Sequence, residues 1–238
     1  MLEYNPGLLR VSLRSRMIPF YNLLKSVIQS DRGVVLSITK WPFILRMNYK
    51  KNLLPNITFL RETRVPESRI SLLLTHYPYI MTLNNSHIGK TVDEVKEMAF
   101  DPLKSTFVLA LRALSGSNKL VWNRCYGVYR KWGWSNNDIL SAFRAQPHCM
   151  LLSEKKITEA MNFLVNNMAW NYQMIVRCPA VLLLSLEKRT IPRCLVVQVL
   201  ISKGLVKKDL SLASVLLPLE KHFWIGMLSD MRRKYLFF

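Results

Sequence analysis

Five prolines recur in one register along this 238-residue chain. Pro6, Pro42, Pro78, Pro147 and Pro179 follow one another at intervals of about 32 to 36 residues, with one gap of two repeats between Pro78 and Pro147. Six positions after each proline stands a small polar residue: Ser12, Asn48, Asn84, Ser153, Ser185. Seventeen positions after it stands an apolar one: Leu23, Phe59, Val95, Leu164, Val196. Three repeats carry a second proline thirteen positions on, at Pro19, Pro55 and Pro192. A period in this range is the signature of stacked supersecondary repeats, each unable to bury its apolar face alone. Such a fold presents a long surface and gives little reason to look for one deep pocket.

Each repeat reads as helix, proline turn, helix. Pro66 suits a first helical turn, and Glu67 to Tyr77 puts Ile70, Leu73, Leu74 and Tyr77 on one face. Pro78 then ends that helix, because proline disfavours helical geometry at the residue before it. The stretch from Pro78 to Leu83 is short enough for a 3₁₀ turn, and a second helix follows over about His87 to Ala99. Asp101-Pro102 repeats the start signal for a helix to about Leu114, with the absent proline landmark extrapolated near Ala113. Ser117 to Trp132 reads as the next helix, stopped by Gly133. Ser135 to Gln146, Ser153 to about Trp170, Asn171 to Cys178 and Pro192 to Lys203 follow, Gly204 ending the last. Leu212 stands where another proline would be, and a helix from Glu220 to about Lys234 closes the array on a basic end, Arg232-Arg233-Lys234. No segment alternates as a strand does. The polar residue at the sixth position suits a helix cap, its side chain accepting a backbone N–H.

Charge narrows the partner. Lys plus Arg number 34 against 15 Asp plus Glu, a net +19. The excess runs along the chain: +8 over residues 1–64, +4 over 65–150 and +7 over 151–238. A basic excess without a basic tail favours a polyanion, nucleic acid before anionic membrane. No apolar stretch reaches the length of roughly 18 residues from which a bilayer span is read. Cys125, Cys149, Cys178 and Cys194 are widely spaced and read as small core residues rather than a disulfide frame or zinc site. His76, His87, His148 and His222 are isolated from one another, and no metalloprotease, phosphate-loop, nucleophile-elbow or dinucleotide motif occurs. No catalytic residue, metal site or cofactor is expected. Asp93, Glu94 and Glu97 read as surface partners of Lys90 and Lys96 on one helix. Trp122, Trp132, Trp134 and Trp170 fall at helical spacing or helix ends and read as packing residues, with base stacking the lesser alternative.

Basic residues recur eight to ten positions after the proline: Arg14 and Arg16, Lys50 and Lys51, Lys155 and Lys156, Lys188 and Arg189, then Lys221. Ser86-His87-Ile88 breaks the row. Cations at a helix start are mildly unfavourable for the helix, which argues for a role in binding. In a stack the row advances by one helix pair per repeat, on the order of 10 Å, a spacing suited to a phosphate backbone, and backbone N–H groups at the helix starts add to it. A second set lies just before the proline, at Lys40, Arg144 and Arg177, with Arg112 near the equivalent place.

These residues together resemble a known family. The resemblance runs from Gly133-Trp134-Ser135 to Phe143-Arg144 and Pro147, and from Ser153 through Lys155-Lys156-Ile157 to Phe163-Leu164-Val165. It continues from Pro179 and Leu182 through Ser185-Leu186-Glu187-Lys188-Arg189 to Ile191-Pro192-Arg193-Cys194, with Leu8-Leu9 and Ile18-Pro19 agreeing near the start. In this pattern the chain resembles the mitochondrial transcription termination factor family, mTERF, in its plant branch. The resemblance implies an all-α, right-handed helical-repeat solenoid of about seven units, each two helices and a 3₁₀ turn, in one repeat domain over residues 1–238. It implies a basic groove for nucleic acid, Arg193 joining the residues above, in a monomeric factor of mitochondria or chloroplasts. Two features depart from the family. The chain reads as opening inside a repeat without an organelle-targeting leader, from a removed leader or from missing upstream repeats, and about seven units are fewer than are expected of a full-length member.

Three functions are therefore expected in order. The first is a double-stranded DNA-binding regulator or terminator of organellar transcription. The second is an RNA-binding factor for intron splicing or ribosome assembly. The third is a protein-interaction scaffold, which would show apolar side chains in place of the basic rows.

Overall fold

The computed structural model of the protein describes residues 11–116, 118–206 and 210–226. Among these every regular element is helical and no strand occurs. Pro6, Leu8-Leu9, Ser117 and the basic end Arg232-Arg233-Lys234 lie outside the described residues. The α-helices are α1 (Ile18–Ile28), α2 (Asp31–Lys40), α3 (Leu53–Glu62), α4 (Glu67–His76), α5 (Asn85–Glu97) and α6 (Ser105–Leu114), then α7 (Asn118–Lys131), α8 (Asn136–Ala145), α9 (Glu154–Met161), α10 (Tyr172–Arg177), α11 (Ile191–Ser202) and α12 (Leu212–Leu216). Even-numbered helices open a repeat and odd-numbered ones close it. Between them lie 3₁₀ turns at Pro42–Arg46, Ile80–Thr82, Pro147–Leu151 and Pro179–Leu183. A further helix opens at Glu220.

The residue at the sixth position caps a helix in four repeats, and in the other Asn48 closes the turn ahead of α3, whose own N-cap, Asn52, makes no side-chain bond. The Ser12, Asn48, Asn84, Ser153 and Ser185 side chains accept the backbone N–H of Ser15, Lys51, Ser86, Lys156 and Lys188. Opening helices carry their own caps: Ser30 accepts from Gly33, and Asn171 from Gln173. Ser135 and Asp138 form a reciprocal capping box. Each such cap satisfies an otherwise orphaned donor and is worth about 1 kcal/mol.

The second proline has a structural effect that its position alone does not announce. Proline lacks the N–H that would bond four residues back, and its ring crowds that carbonyl. Ahead of Pro19 and Pro192 the chain widens into π-turns at Leu13–Met17 and Leu186–Thr190. The N–H groups of Met17 and Thr190 reach back five residues to Ser12 and Ser185, at 3.1 and 3.0 Å. Before Pro55 the same five-residue bond joins Leu54 N–H to the Tyr49 carbonyl at 2.8 Å. The closing helix therefore starts at Leu186, ahead of the expected Pro192. A third π-turn, Asn162–Asn167, extends α9 without a proline.

Six closing helices share one ending. Gln29, Arg64, Ala99, Gly133, Ala169 and Gly204 all have positive φ, between 53° and 82°. Their spacing varies by no more than one position either way from one repeat to the next, a stricter period than that of the prolines. After four of them an N–H bonds five residues back: Val65 to Leu60, Phe100 to Val95, Trp134 to Tyr129 and Leu205 to Leu200. This is the Schellman ending, and Val65, Phe100 and Trp134 are the buried residues that accompany it.

Two expectations are corrected. Ala113 is not the missing landmark: it lies fully buried inside α6. The four described prolines stand two residues beyond their opening helix, and at that place after α6 stands Gly116, φ +59°. α7 begins two residues later, and among the described residues this repeat has no 3₁₀ turn. Asn118 Nδ2 instead donates to the Arg112 carbonyl at 2.7 Å, and Ser115 Oγ to the Leu111 carbonyl at 2.5 Å, satisfying the end of α6. Asp101-Pro102 does not begin α6. Asp101 accepts the Leu103 N–H at 2.9 Å in a tight turn, and the helix starts at Ser105.

The chain divides into two compact units, residues 1–119 and 120–238. In the first, α2 packs on α4 and α4 on α6, opening helix on opening helix, while α3 packs on α5. α1 lies against α2 and α4, and α5 against α6. Leu24, Ile57, Leu60, Ile70, Leu73, Leu74, Val92 and Phe107 fill that core. In the second, α8 packs on α10 and the Pro147–Leu151 turn on the Pro179–Leu183 turn. Its core holds Tyr129, Trp134, Ile139, Phe143, Met150, Ile157, Leu164 and Leu182. Of the residues seventeen positions after proline, Val95 and Leu164 are buried, while Leu23, Phe59 and Val196 are half-buried.

Candidate nucleic-acid interface

The start of each closing helix places the basic rows. Arg14, Lys50, Lys51, Lys155 and Lys188 are exposed there, within a turn of the capping Ser or Asn. Lys155 lies 3.7 Å from Glu159 one turn on, with its side chain 83% exposed, so the contact leaves it open to solvent. Lys188 makes no side-chain bond among the described residues. Lys221, also exposed, extends the row in the second unit.

Neighbours in the same rows do something else. Arg16 donates to the Arg46 carbonyl, at the end of the next repeat's 3₁₀ turn. Lys156 Nζ donates to the Leu183 carbonyl at 2.8 Å, again at the end of the next turn. Arg189 donates through Nε to Leu216 at 3.0 Å and through Nη2 to Leu217 at 2.7 Å and Pro218 at 2.5 Å. Arg193 is 8% exposed, with Nη1 on the Val215, Leu216 and Pro218 carbonyls at 3.3, 3.2 and 2.7 Å. Its guanidinium lies 4.7 Å from the Phe223 ring centre. Burial first, and then the Arg189 charge, lower its affinity for the proton.

These contacts form one recurring clasp. A donor on a closing helix reaches the last carbonyls of the next repeat's turn, groups that a short helical segment leaves unpaired. Asn56 is the uncharged version: buried in α3, its Nδ2 donates to Met81 at 3.0 Å and Leu83 at 2.8 Å. Cys125 in α7 makes the same reach, Sγ to the Leu152 carbonyl at 3.2 Å. Asn56 and Arg193 stand at the same place in their repeats, fourteen positions after Pro42 and Pro179, a register that the charge pattern alone did not bring out.

The set before the proline lies at the ends of opening helices, where a cation complements the helix dipole. Arg144 and Arg177 are exposed in the last turns of α8 and α10. In the first unit this end is richer than expected. Lys40 Nζ meets His76 Nδ1 at 3.3 Å, and Arg112 lies 4.8 Å from the Tyr77 ring centre. Trp41 sits 5.6 Å from Phe43 and 6.0 Å from Tyr79, whose hydroxyl accepts from Asn118 Nδ2 at 3.0 Å. Burial and the Lys40 charge lower the His76 pKa below its ordinary 6.5. The aromatic residues at Trp41 and Tyr77, each directly before a proline, were the legible signal for this cluster.

Of Trp122, Trp132, Trp134 and Trp170, two pack against aromatic rings of the second unit. Trp134 is fully buried and stacked on Tyr129 at 4.5 Å, while Trp122 packs edge-on to Phe143 at 4.5 Å. Trp132 and Trp170 are half-buried. All four cysteines are free thiols. Burial pushes Cys125 up to about 11 and Cys194 up to about 12. Glu94 pairs with Lys119 of α7 at 3.0 Å, not with the lysines of its own helix. Among the described residues no cluster of His, Cys, Asp and Glu is suited to hold a metal, and no helix is long and apolar enough to cross a membrane.

A model of the mTERF family matches the chain twice, over residues 1–120 and over residues 112–224. No curated protein matches it.

Proposed function

The chain belongs to the mTERF family, and from that premise we propose that it acts as a monomeric regulator of organellar transcription that binds double-stranded DNA. Family members are nucleic-acid-binding organellar factors. The observation that carries the reading is the recurrence of exposed cations at equivalent places: Arg14, Lys50 and Lys51 in one unit, Lys155 and Lys188 in the other, each at or just ahead of the start of a closing helix. Phosphates meet there both a mobile cation and the field of helix N-termini. Arg144 and Arg177 add exposed charge at the opening-helix ends. Arg16, Lys156, Arg189 and Arg193 contribute in this reading by holding the next repeat in place. Arg112, its guanidinium 4.8 Å from the Tyr77 ring centre, is a further cation of the first unit in this reading.

Contacts of this kind position a backbone without reading its bases. Sequence preference must then come from further contacts or from the shape of the duplex. The test is a binding competition with the full chain: labelled duplex DNA challenged by unlabelled duplex and by single-stranded RNA of the same sequence. Preferential displacement by duplex is expected. Preferential displacement by RNA transfers the same surface to splicing or ribosome assembly, and absence of binding to either ends the nucleic-acid reading.

A further inference from the structure

A second feature of the basic row lies at its last described cleft. Between the start of the Leu186 helix and the helix opening at Glu220 is a cleft of about 610 Å³. Lys188, Arg189 and Arg193 line it from one side, and Phe223 and Trp224 from the other. The only carboxylate in its lining is Glu220. No carboxylate among the described residues lies within ion-pair distance of the three cations. Arg189 and Arg193 are thus like charges set side by side over backbone carbonyls, and Arg193 is almost wholly buried. Carbonyls satisfy their N–H groups but do not neutralise them. An arriving anion relieves that repulsion, and the Lys188 Nζ and Arg189 Nη1 carry no protein partner among the described residues that it would have to displace.

The opposite wall specifies more than an anion. Phe223 is 2% exposed and pinned under the Arg193 guanidinium at 4.7 Å. That contact anchors its neighbour: Trp224 packs edge-on to Phe223, ring centres 5.2 Å apart at 68°, and stays 46% exposed at the cleft. That tilted contact leaves nearly half of the Trp224 side chain exposed to solvent, within reach of a flat, π-bearing group entering the cleft. Bases within a duplex have both faces covered by neighbours, so the group that fits is a base outside a duplex.

We propose that this cleft holds one unpaired nucleotide of a bound strand, its phosphate on Lys188 and Arg189 and its base against Trp224. The proposal rests on the nucleic-acid reading above and adds to it a single-strand subsite at the C-terminal repeats. A protein of this kind engages duplex along its row and grips a strand end, bulge or opened base at the cleft. Free nucleoside monophosphates share the chemistry, but without the row of cations to hold the rest of a strand they bind far more weakly.

The experiment measures full-chain affinity for a labelled single strand, for the matching duplex and for a nucleoside monophosphate. Trp224→Leu is expected to lower the ratio of single-strand to duplex affinity about tenfold, the low-to-middle range for losing one stacked base. Trp224→Phe is expected to restore most of that ratio, which separates stacking from a folding defect; thermal melting by circular dichroism checks the fold of both. Lys188→Gln is expected to weaken strand and duplex together. An unchanged ratio in a folded Trp224→Leu chain overturns the subsite while leaving duplex binding in force. Monophosphate binding tighter than strand binding also overturns it, in favour of a small-molecule site. A wild-type chain that binds neither strand nor duplex overturns the parent reading as well.

Discussion

Gln29, Arg64, Ala99 and Ala169 hold φ values of 59°, 62°, 62° and 53°, a region that side chains with a Cβ resist by about 1–2 kcal/mol. Glycine has no such cost but loses more backbone freedom on folding, by about 0.5–1 kcal/mol. Ala99→Gly and Ala169→Gly are therefore expected to raise stability by a net of about 0.5–1 kcal/mol each, read from urea midpoints at constant slope. A fall at both positions would show that these endings are not under strain. His76 makes a second prediction. Its pKa is lowered in the folded chain, first by burial and then by Lys40, so the folded state binds fewer protons than the unfolded one near that pKa. Stability then rises with pH. The contribution is present above the ordinary 6.5 and is lost as pH falls through the lower folded value. His76→Gln is expected to flatten the pH dependence of the urea midpoint just below pH 6.5; an unchanged profile removes His76 as its source.

At the scale of elements, charge and anchoring separate within one basic pair. Lys188 is exposed, whereas Arg189 donates to three carbonyls of the following segment. Lys188→Ala is expected to change folding stability by less than about 0.5 kcal/mol. Arg189→Ala is expected to cost about 1.5–3 kcal/mol, the range for hydrogen bonds to a charged group, through the orphaned carbonyls of Leu216 to Pro218. Equal effects at the two positions would sink the clasp. This is also where sequence legibility divides. Proline turns, Ser and Asn caps and the Gly133 and Gly204 stops were legible because each depends on a residue acting on its own backbone. The π-turns before Pro19 and Pro192 were not, since the same residue type breaks one helix and merely widens another, depending on what caps the turn ahead of it. The endings at Ala99 and Ala169 were invisible because alanine carries no signature of left-handed geometry. In the candidate site the sequence showed which residues are charged. It did not show that Arg16, Lys156, Arg189 and Arg193 reach carbonyls some 22 to 30 residues ahead, because that depends on which turn stacks against which helix.

For the whole molecule the expected signature is electrostatic. Contact of the exposed row with about six phosphates predicts a roughly thousandfold loss of affinity between 50 and 200 mM salt. Replacing Lys50 and Lys51 together by Ala is expected to weaken binding to all sequences alike and to flatten the salt slope by about one to two units. A double variant that is folded and keeps the wild-type slope takes this pair off the interface. The clasp carries a different consequence, for descent rather than binding. Three repeats both receive a donor from behind and give one forward: α2–α3 through Arg46 and Asn56, α8–α9 through Leu152 and Lys156, and α10–α11 through Leu183 and Arg189. Excise one whole repeat and the new junction brings together a giver and a receiver of the same kinds as before; excise a third of one and both are stranded. Loss or gain of a whole repeat is therefore expected to disturb such a chain less than a small deletion within one.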